Sequence, residues 1–323
     1  MTENKETPKN ARLPPGVPNG SIPPQTYSMK ATIIIALGVA LGPVCEGRVK
    51  AHEDLIARIT TLTAQLSTNQ NNVVALIQRA DLYRLHGDWT EARSDYAAVS
   101  KLAPNSAPLL LGRAQLHVDQ GEDAAARAAF DDFLSRFPTN SVALLGRARV
   151  LTRLGERKAA IADYSRAIAV GASPQPEDFL ERASLQATEF SVDEAIKGLD
   201  EGLTRLGWLV TFQKAAIDYE LKRQRSDQAL ARLETIIARA NRKETWLAWK
   251  GEILMAAGKS REAQECFLAT LKAIDALPPR MNKSPSMAGL RAKVEFSLAS
   301  LRAGSGVEKN QVGGRWPADK KVD

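Results

Sequence analysis

Along most of this chain apolar residues return every three or four positions, the spacing that buries one face of a helix and leaves the other in water. Leu55, Ile56, Ile59, Leu62 and Leu66 form one such stripe and predict a helix from His52 to Leu66. Met287, Leu290, Val294 and Leu298 form another and predict a helix from Ser284 to Leu301. No stretch alternates apolar and polar residues, so essentially no sheet is expected. Between the two stripes the pattern repeats as a block. Ala92, Ala126, Ala160, Ala195, Ala229 and Ala263 lie 34, 34, 35, 34 and 34 residues apart. Such a period marks a stack of helix–turn–helix units.

The first three units align without a gap. Gly87, Gly121 and Gly155 precede the marker alanine by five residues, Ala80, Ala114 and Ala148 precede it by twelve, and Tyr96, Phe130 and Tyr164 follow it by four. Pro104 and Pro138 close the first two units; the third has Ala172 there, with Pro174 just after. The alanines let two antiparallel helices approach closely and the aromatic fills the space one turn on. The glycine ends the first helix in a left-handed conformation, and proline stops the second. Asp88 and Glu122, just after the glycine, are expected to cap the next helix.

These residues resemble the tetratricopeptide repeat family. The motif is carried by Leu76, Ala80, Tyr83, Gly87, Ala92, Tyr96 and Pro104 in the first unit, and by Leu110, Ala114, Gly121, Ala126, Phe130 and Pro138 in the second. Leu144, Ala148, Gly155, Ala160, Tyr164 and Ala167 carry it in the third, and Leu247, Gly251, Leu254, Gly258, Ala263 and Phe267 in the sixth. Unit four keeps Ala183, Ala195 and Leu199 but has Phe190 for the turn glycine, and unit five has Gln224 there. The related Sel1-type repeats differ in unit length and are disfavoured by the period. The resemblance covers roughly residues 73–277. It implies an all-α, right-handed α-solenoid of about six helix–turn–helix repeats with capping helices. It also implies a concave face, lined by first helices, on which a peptide or protein domain docks. The expected lining residues are Asp81, Arg84, Gln115, Asp119, Arg149, Arg153, Ser184, Thr188, Trp249 and Glu252. They lack the repeated Lys/Asn arrangement of the family's carboxylate clamps, so an acidic chaperone C-terminus is not the expected partner. Trp246 and Trp249 share one helix; packing is the plain role for both, and a binding anchor is the other reading for Trp249.

The ends of the chain read differently. Residues 1–28 are polar and rich in Pro, Asn, Lys and Thr, and are expected to be disordered. Residues 29–51 hold an apolar run, Ala31 to Cys45, behind Lys30. It is shorter than the about 20 residues that span a bilayer and fits a signal peptide cut before His52, or near Cys45-Glu46-Gly47; the alternative is a short membrane anchor. A lipid-modified Cys45 fits poorly with the Gly42-Pro43-Val44 that precedes it. Translation is expected to begin at Met29. Residues 52–72 form an N-terminal cap and turn, 73–279 the array, 284–303 a closing helix, and 304–323 a polar tail. With the leader removed only Cys266 remains, a small core residue without a disulfide partner. A bacterial protein of the periplasm or cell exterior is the expected setting, with a membrane-anchored form as the alternative.

Chemistry is sparse. The net charge of +7 spreads as +3 over residues 1–51, +1 over residues 304–323 and about +3 over the repeat body, too thin for a nucleic-acid footprint. His52, His86 and His117 sit at no metal-ligand spacing; His86 is expected to bond the last carbonyls of its helix. No phosphate loop or nucleophile motif is present. Asp131-Asp132 and Asp200-Glu201 read as solvated helix faces. Arg79, Arg113, Arg147 and Arg182 each precede the small residue of a first helix; pairing of Arg79 with Asp95 and of Arg147 with Asp163 is expected, in a structural role. No metal and no cofactor is expected. The chain reads as a non-enzymatic protein–protein scaffold, with an assembly factor at a membrane or an accessory subunit of an enzyme complex as alternatives.

Overall fold

The computed structural model describes the backbone of residues 43–302 and the side chains of residues 52–302. The expected tails and the apolar segment up to residue 42 lie outside the described residues. All regular elements among those described are helices. α1 (Pro43–Thr68) is followed by six hairpins: α2 (Val73–His86) with α3 (Trp89–Leu102), α4 (Ala107–Asp119) with α5 (Asp123–Arg136), and α6 (Ser141–Arg153) with α7 (Arg157–Val170) come first. Then come α8 (Pro176–Glu189) with α9 (Val192–Leu206), α10 (Val210–Lys222) with α11 (Ser226–Arg239), and α12 (Glu244–Ala256) with α13 (Ser260–Asp275). A short α14 (Pro279–Asn282) precedes the closing α15 (Pro285–Arg302). Helices pack chiefly on their neighbours in the chain, which makes the molecule an all-α solenoid. The hairpins belong to one compact unit, Leu55–Asp323; the other, Met1–Asp54, contributes only the start of α1 to the described residues.

The six marker alanines are all fully buried, at 0% exposure, where each second helix presses on its first. Turn geometry follows the glycines. Gly87, Gly121, Gly155 and Gly258 have φ of 93°, 73°, 78° and 76°, and the next N–H reaches back to close the turn, as from Asp88 to the Tyr83 carbonyl at 2.9 Å. Gln224 is driven into the same left-handed region, φ 56°, and Arg225 N–H closes on Glu220 O at 2.9 Å. A side chain in that region costs about 1 kcal/mol or more. Gln224→Gly is therefore expected to raise stability by about 1 kcal/mol, read by chemical denaturation. Unit four turns without a left-handed residue; Phe190 sits at φ −115°, ψ −79° and Ser191 Oγ caps α9 by accepting from Glu194 N–H at 3.2 Å.

The expected caps are not made. Asp88 (φ −84°, ψ 66°) and Glu122 (φ −85°, ψ 64°) lack the extended backbone that aims a capping side chain, and neither bonds its helix. Each instead faces a histidine: His86 Nδ1 bonds Asp88 at 2.8 Å, and His117 Nδ1 bonds Glu122 at 2.6 Å. Beside Ser191, side-chain caps are made by Asn72 and Asn140, which accept from Ala75 and Ala143 N–H at 3.1 and 2.9 Å.

One contact recurs at the first two seams between hairpins. The aromatic of a second helix points at the residue sixteen positions on, in the next first helix. A Cβ at Gly112 would lie 2.5 Å from the Tyr96 hydroxyl, and one at Gly146 2.5 Å from the Phe130 ring. At the third seam Tyr164 donates its hydroxyl to Glu181 at 2.6 Å. The fifth seam inverts the sizes: Leu233 stands on the second helix and Trp249 on the next first helix, in one buried cluster.

A second device ties helix to helix by charge. Arg79 Nε and Nη2 donate to Asp95 at 2.8 and 2.7 Å, and Arg147 donates to Asp163 at 2.6 and 2.8 Å. The same guanidinium also reaches the preceding second helix or α1: Arg147 donates to Asp131 at 2.8 Å, Arg79 to Thr63 at 3.1 Å. The expected pairs are present. Arg182 differs because Gly198 holds the acid position; buried Arg182 donates to Gly198 O at 3.3 Å and Glu201 at 2.5 Å. In unit five Arg232 takes the acid position and grips Asp200 at 2.8 and 2.9 Å. The acidic pairs read as solvated faces thus carry ties between units.

The cap helix is longer than its stripe predicted. α1 is helical on both sides of the Ala51–His52 junction. Leu66 joins the first core cluster and Leu62 packs against it, whereas Ile56 is exposed. The C-terminal end of α1, not its whole stripe, covers the first hairpin. At the other end Met287, Leu290, Val294 and Leu298 are all buried against α12 and α13, as their spacing predicts.

Candidate binding groove

A stripe of four residues, spaced 4, 3 and 4, runs along each of the first helices α2, α4 and α6. On α2 the stripe is Val74, Gln78, Asp81 and Leu85; on α4 it is Pro108, Gly112, Gln115 and Asp119; on α6 it is Val142, Gly146, Arg149 and Arg153. On α4 and α6 the second member, Gly112 or Gly146, turns into the seam, whereas Gln78 on α2 is exposed. Val74, Leu85 and Val142 are 64%, 62% and 54% exposed, large apolar side chains left in water on this face.

Two clefts open along the first part of it. One, about 400 Å³, is lined by Arg58, Thr61 and Leu62 of α1 and by Gln78, Asp81, Leu82 and Leu85 of α2. The next, about 270 Å³, is lined by Asp81, Ala107, Pro108, Leu111, Gly112, Gln115, Phe133 and Asn140. Asp81 lies on the wall between them. Its carboxylate accepts the Tyr96 hydroxyl at 2.5 Å, which fixes its orientation and leaves its other lone pairs to the groove.

Further along, the charged members of the expected lining are engaged in ion pairs. Arg84 donates to Asp119 at 2.5 Å. Arg149 donates to Glu181 at 3.2 Å and Asp178 at 3.4 Å. Arg153 donates to Asp123 at 2.8 and 2.6 Å, and this hydrogen bond holds the Asp123 carboxyl below the usual carboxylate range. Glu252 meets Lys293 of α15 at 2.7 Å. Ser184 and Thr188 are exposed, with the Thr188 hydroxyl turned back to Ser184 O at 3.2 Å. Trp249 does not line the face. It is 7% exposed because it stands at the seam position that Gly112 and Gly146 hold, and Trp246 packs beside it at 6.2 Å between ring centroids. Sequence reasoning missed Gln78, Leu85, Leu111 and Pro108. Their signal was helical spacing from the residues it did choose: Gln78 and Leu85 lie three and four residues from Asp81, and Leu111 and Pro108 four and seven from Gln115.

The phenols of the seams carry a pH dependence. Burial, then the hydrogen bond to Asp81, pushes Tyr96 well above its ordinary pKa; burial, then Glu181, does the same for Tyr164. The unfolded phenol ionises near pH 10 (about 10). A raised folded value means that this contribution is fully present below pH of about 10 and is lost as pH climbs above it. Denaturation midpoints measured from pH 9 to 11 (on the order of one unit either side of the phenol value) are expected to fall, and to fall less steeply in Tyr96→Phe.

Among the described residues no group of three His, Cys, Asp or Glu side chains could hold a metal ion, and no helix is long and apolar enough to cross a membrane. A tetratricopeptide-repeat family model matches residues 77–141 and 111–177. No curated protein matches the sequence. Among solved structures, the C-terminal part of a repeat-containing protein of this kind from Cytophaga hutchinsonii aligns with a TM-score of 0.56 at 14% identity, over 71% of this chain and 96% of that one. A tetratricopeptide repeat protein from Parabacteroides merdae aligns at 0.45 and 17% identity, over 77% and 98%. PilW, a type IV pilus biogenesis factor, aligns at 0.48 and 18%, over 59% and 89%.

Proposed function

We propose that this chain, matched by the tetratricopeptide-repeat model over residues 77–177, is a non-enzymatic scaffold that holds a peptide or protein segment in the groove along α2 and α4. The observation that carries this is the run of two clefts sharing Asp81, the larger of the two lined by exposed Leu85. Apolar side chains beside convergent polar groups suit a segment that alternates the two. The later first helices, whose charged residues are tied across units, serve as the rigid wall. The test captures a partner with the full chain from its native source and measures its affinity for Leu85→Asp and Gln115→Arg. Both sites lie outside the seams, so folding is expected to be unchanged and affinity to fall at least about tenfold (~1.4 kcal/mol). Unchanged affinity in both variants would remove the groove from the account.

We further infer export, with residues 29–51 as the leader and the periplasm or cell exterior as destination. The support is the apolar run Ala31 to Cys45 behind Lys30. Sequencing the N-terminus of the mature protein decides it: a start near His52 supports cleavage, and a start at Met29 leaves a membrane-anchored scaffold.

A further inference from the structure

The base that precedes the small residue of a first helix meets a carboxylate wherever it occurs, with one exception among the described residues. Arg79 has Asp95, Arg147 has Asp163 and Asp131, Arg182 has Glu201, and Lys250 has Glu234. Arg113, the same position on α4, is exposed and has no hydrogen bond or ion pair there. The cause is local sequence. The residue sixteen on, aspartate in units one and three, is Ala129; the residue sixteen back, Thr63 or Asp131 for its counterparts, is Ala97. Ala97 is exposed and Ala129 half-buried. The backbone frame that places two carboxylate oxygens 2.6 to 2.8 Å from the guanidinium in the flanking units is therefore repeated here without the acid.

We propose that Arg113 is a docking point for a side-chain carboxylate of a partner protein, an Asp or Glu that enters from solvent between Ala97 and Ala129. The planar fork of a guanidinium selects a carboxylate held by two parallel bonds, and the two alanines leave the space that the chain's own aspartate fills in units one and three. This contact lies between second helices, outside the groove, so it is a second surface and not part of the first.

The test follows the arginine Nε–H resonances of the full chain by NMR during titration with N-acetyl-glutamate methylamide, with the glutamine analogue and inorganic phosphate in parallel. Arg113 is expected to respond to the glutamate probe with half-saturation at least tenfold lower than exposed Arg157 and Arg280, and not to respond to the glutamine probe. In Ala129→Asp the site is filled from within: the Arg113 resonance moves toward those of Arg79 and Arg147 without ligand, and the response to the probe is lost. A response no stronger than that of Arg157 and Arg280, a stronger response to phosphate, or an unaltered response in Ala129→Asp would each overturn the proposal.

Discussion

Replacing Arg147 with alanine is expected to cost the array about 3 kcal/mol, the scale for stranding one partner of a buried pair. Asp163 is buried, and both its oxygens accept from Arg147 at 2.6 and 2.8 Å. Without the guanidinium that carboxylate stays desolvated with no counter-charge, and Asp131 loses its tie to the next unit. The loss is one of satisfaction, not of attraction between exposed ions, so it persists in high salt, where a surface pair would fade. A double variant, Arg147→Met with Asp163→Leu, removes both charges and is expected to recover most of the stability. Urea denaturation of the parent and the two variants at low and high salt checks this; a single variant within about 0.5 kcal/mol of the parent, the scale of a surface change, would show that Asp163 finds another partner.

Phe130→Ala is expected to be more severe, about 3–5 kcal/mol. The ring is 1% exposed and fills the seam against Gly146, so its loss opens a cavity between two hairpins. The complementary change reaches the same contact from the other side. Gly146→Ala would gain about 0.5–1 kcal/mol of helix propensity, yet its methyl would meet the ring at 2.5 Å. A net cost of about 1–3 kcal/mol is expected. In a Phe130→Leu background that cost is expected to shrink, because the shorter side chain vacates the space. A cycle of these variants measures the coupling directly, and additive costs would mean that the two residues do not share the seam.

The fold was legible because its cause is periodic. Small residues needed once per unit, such as Ala92 and Ala126, and glycines needed at left-handed turns leave a mark every 34 residues. The pairs Arg79–Asp95 and Arg147–Asp163 were legible for a related reason, since both partners sit beside the marker residues. What was not legible depends on geometry between units. Trp249 reads as a groove residue from its place on a first helix, but its position in the stripe turns it into the seam. Asp131 and Asp200 are about half exposed, as solvated faces are, but their ties to Arg147 and Arg232 were not legible because those partners lie on the next hairpin. Asp88 has the right residue type for a cap, but it and Glu122 have the wrong backbone angles. The open part of the groove was half found, at Asp81 and Gln115, since a cleft is made by neighbours that one helix does not contain.

The inverted fifth seam bears on how this chain could ever grow. Tandem duplication of a hairpin is the simplest way to lengthen an array, and an extra copy inherits both of its edges. A second copy of α4–α5 placed ahead of α12 would bring Phe130 face to face with Trp249, where Leu233 now stands. Two bulky rings would then compete for the volume of one, so the edge of the sixth hairpin disfavours a predecessor with an aromatic at that position and suits a leucine, as at Leu233 or Leu199.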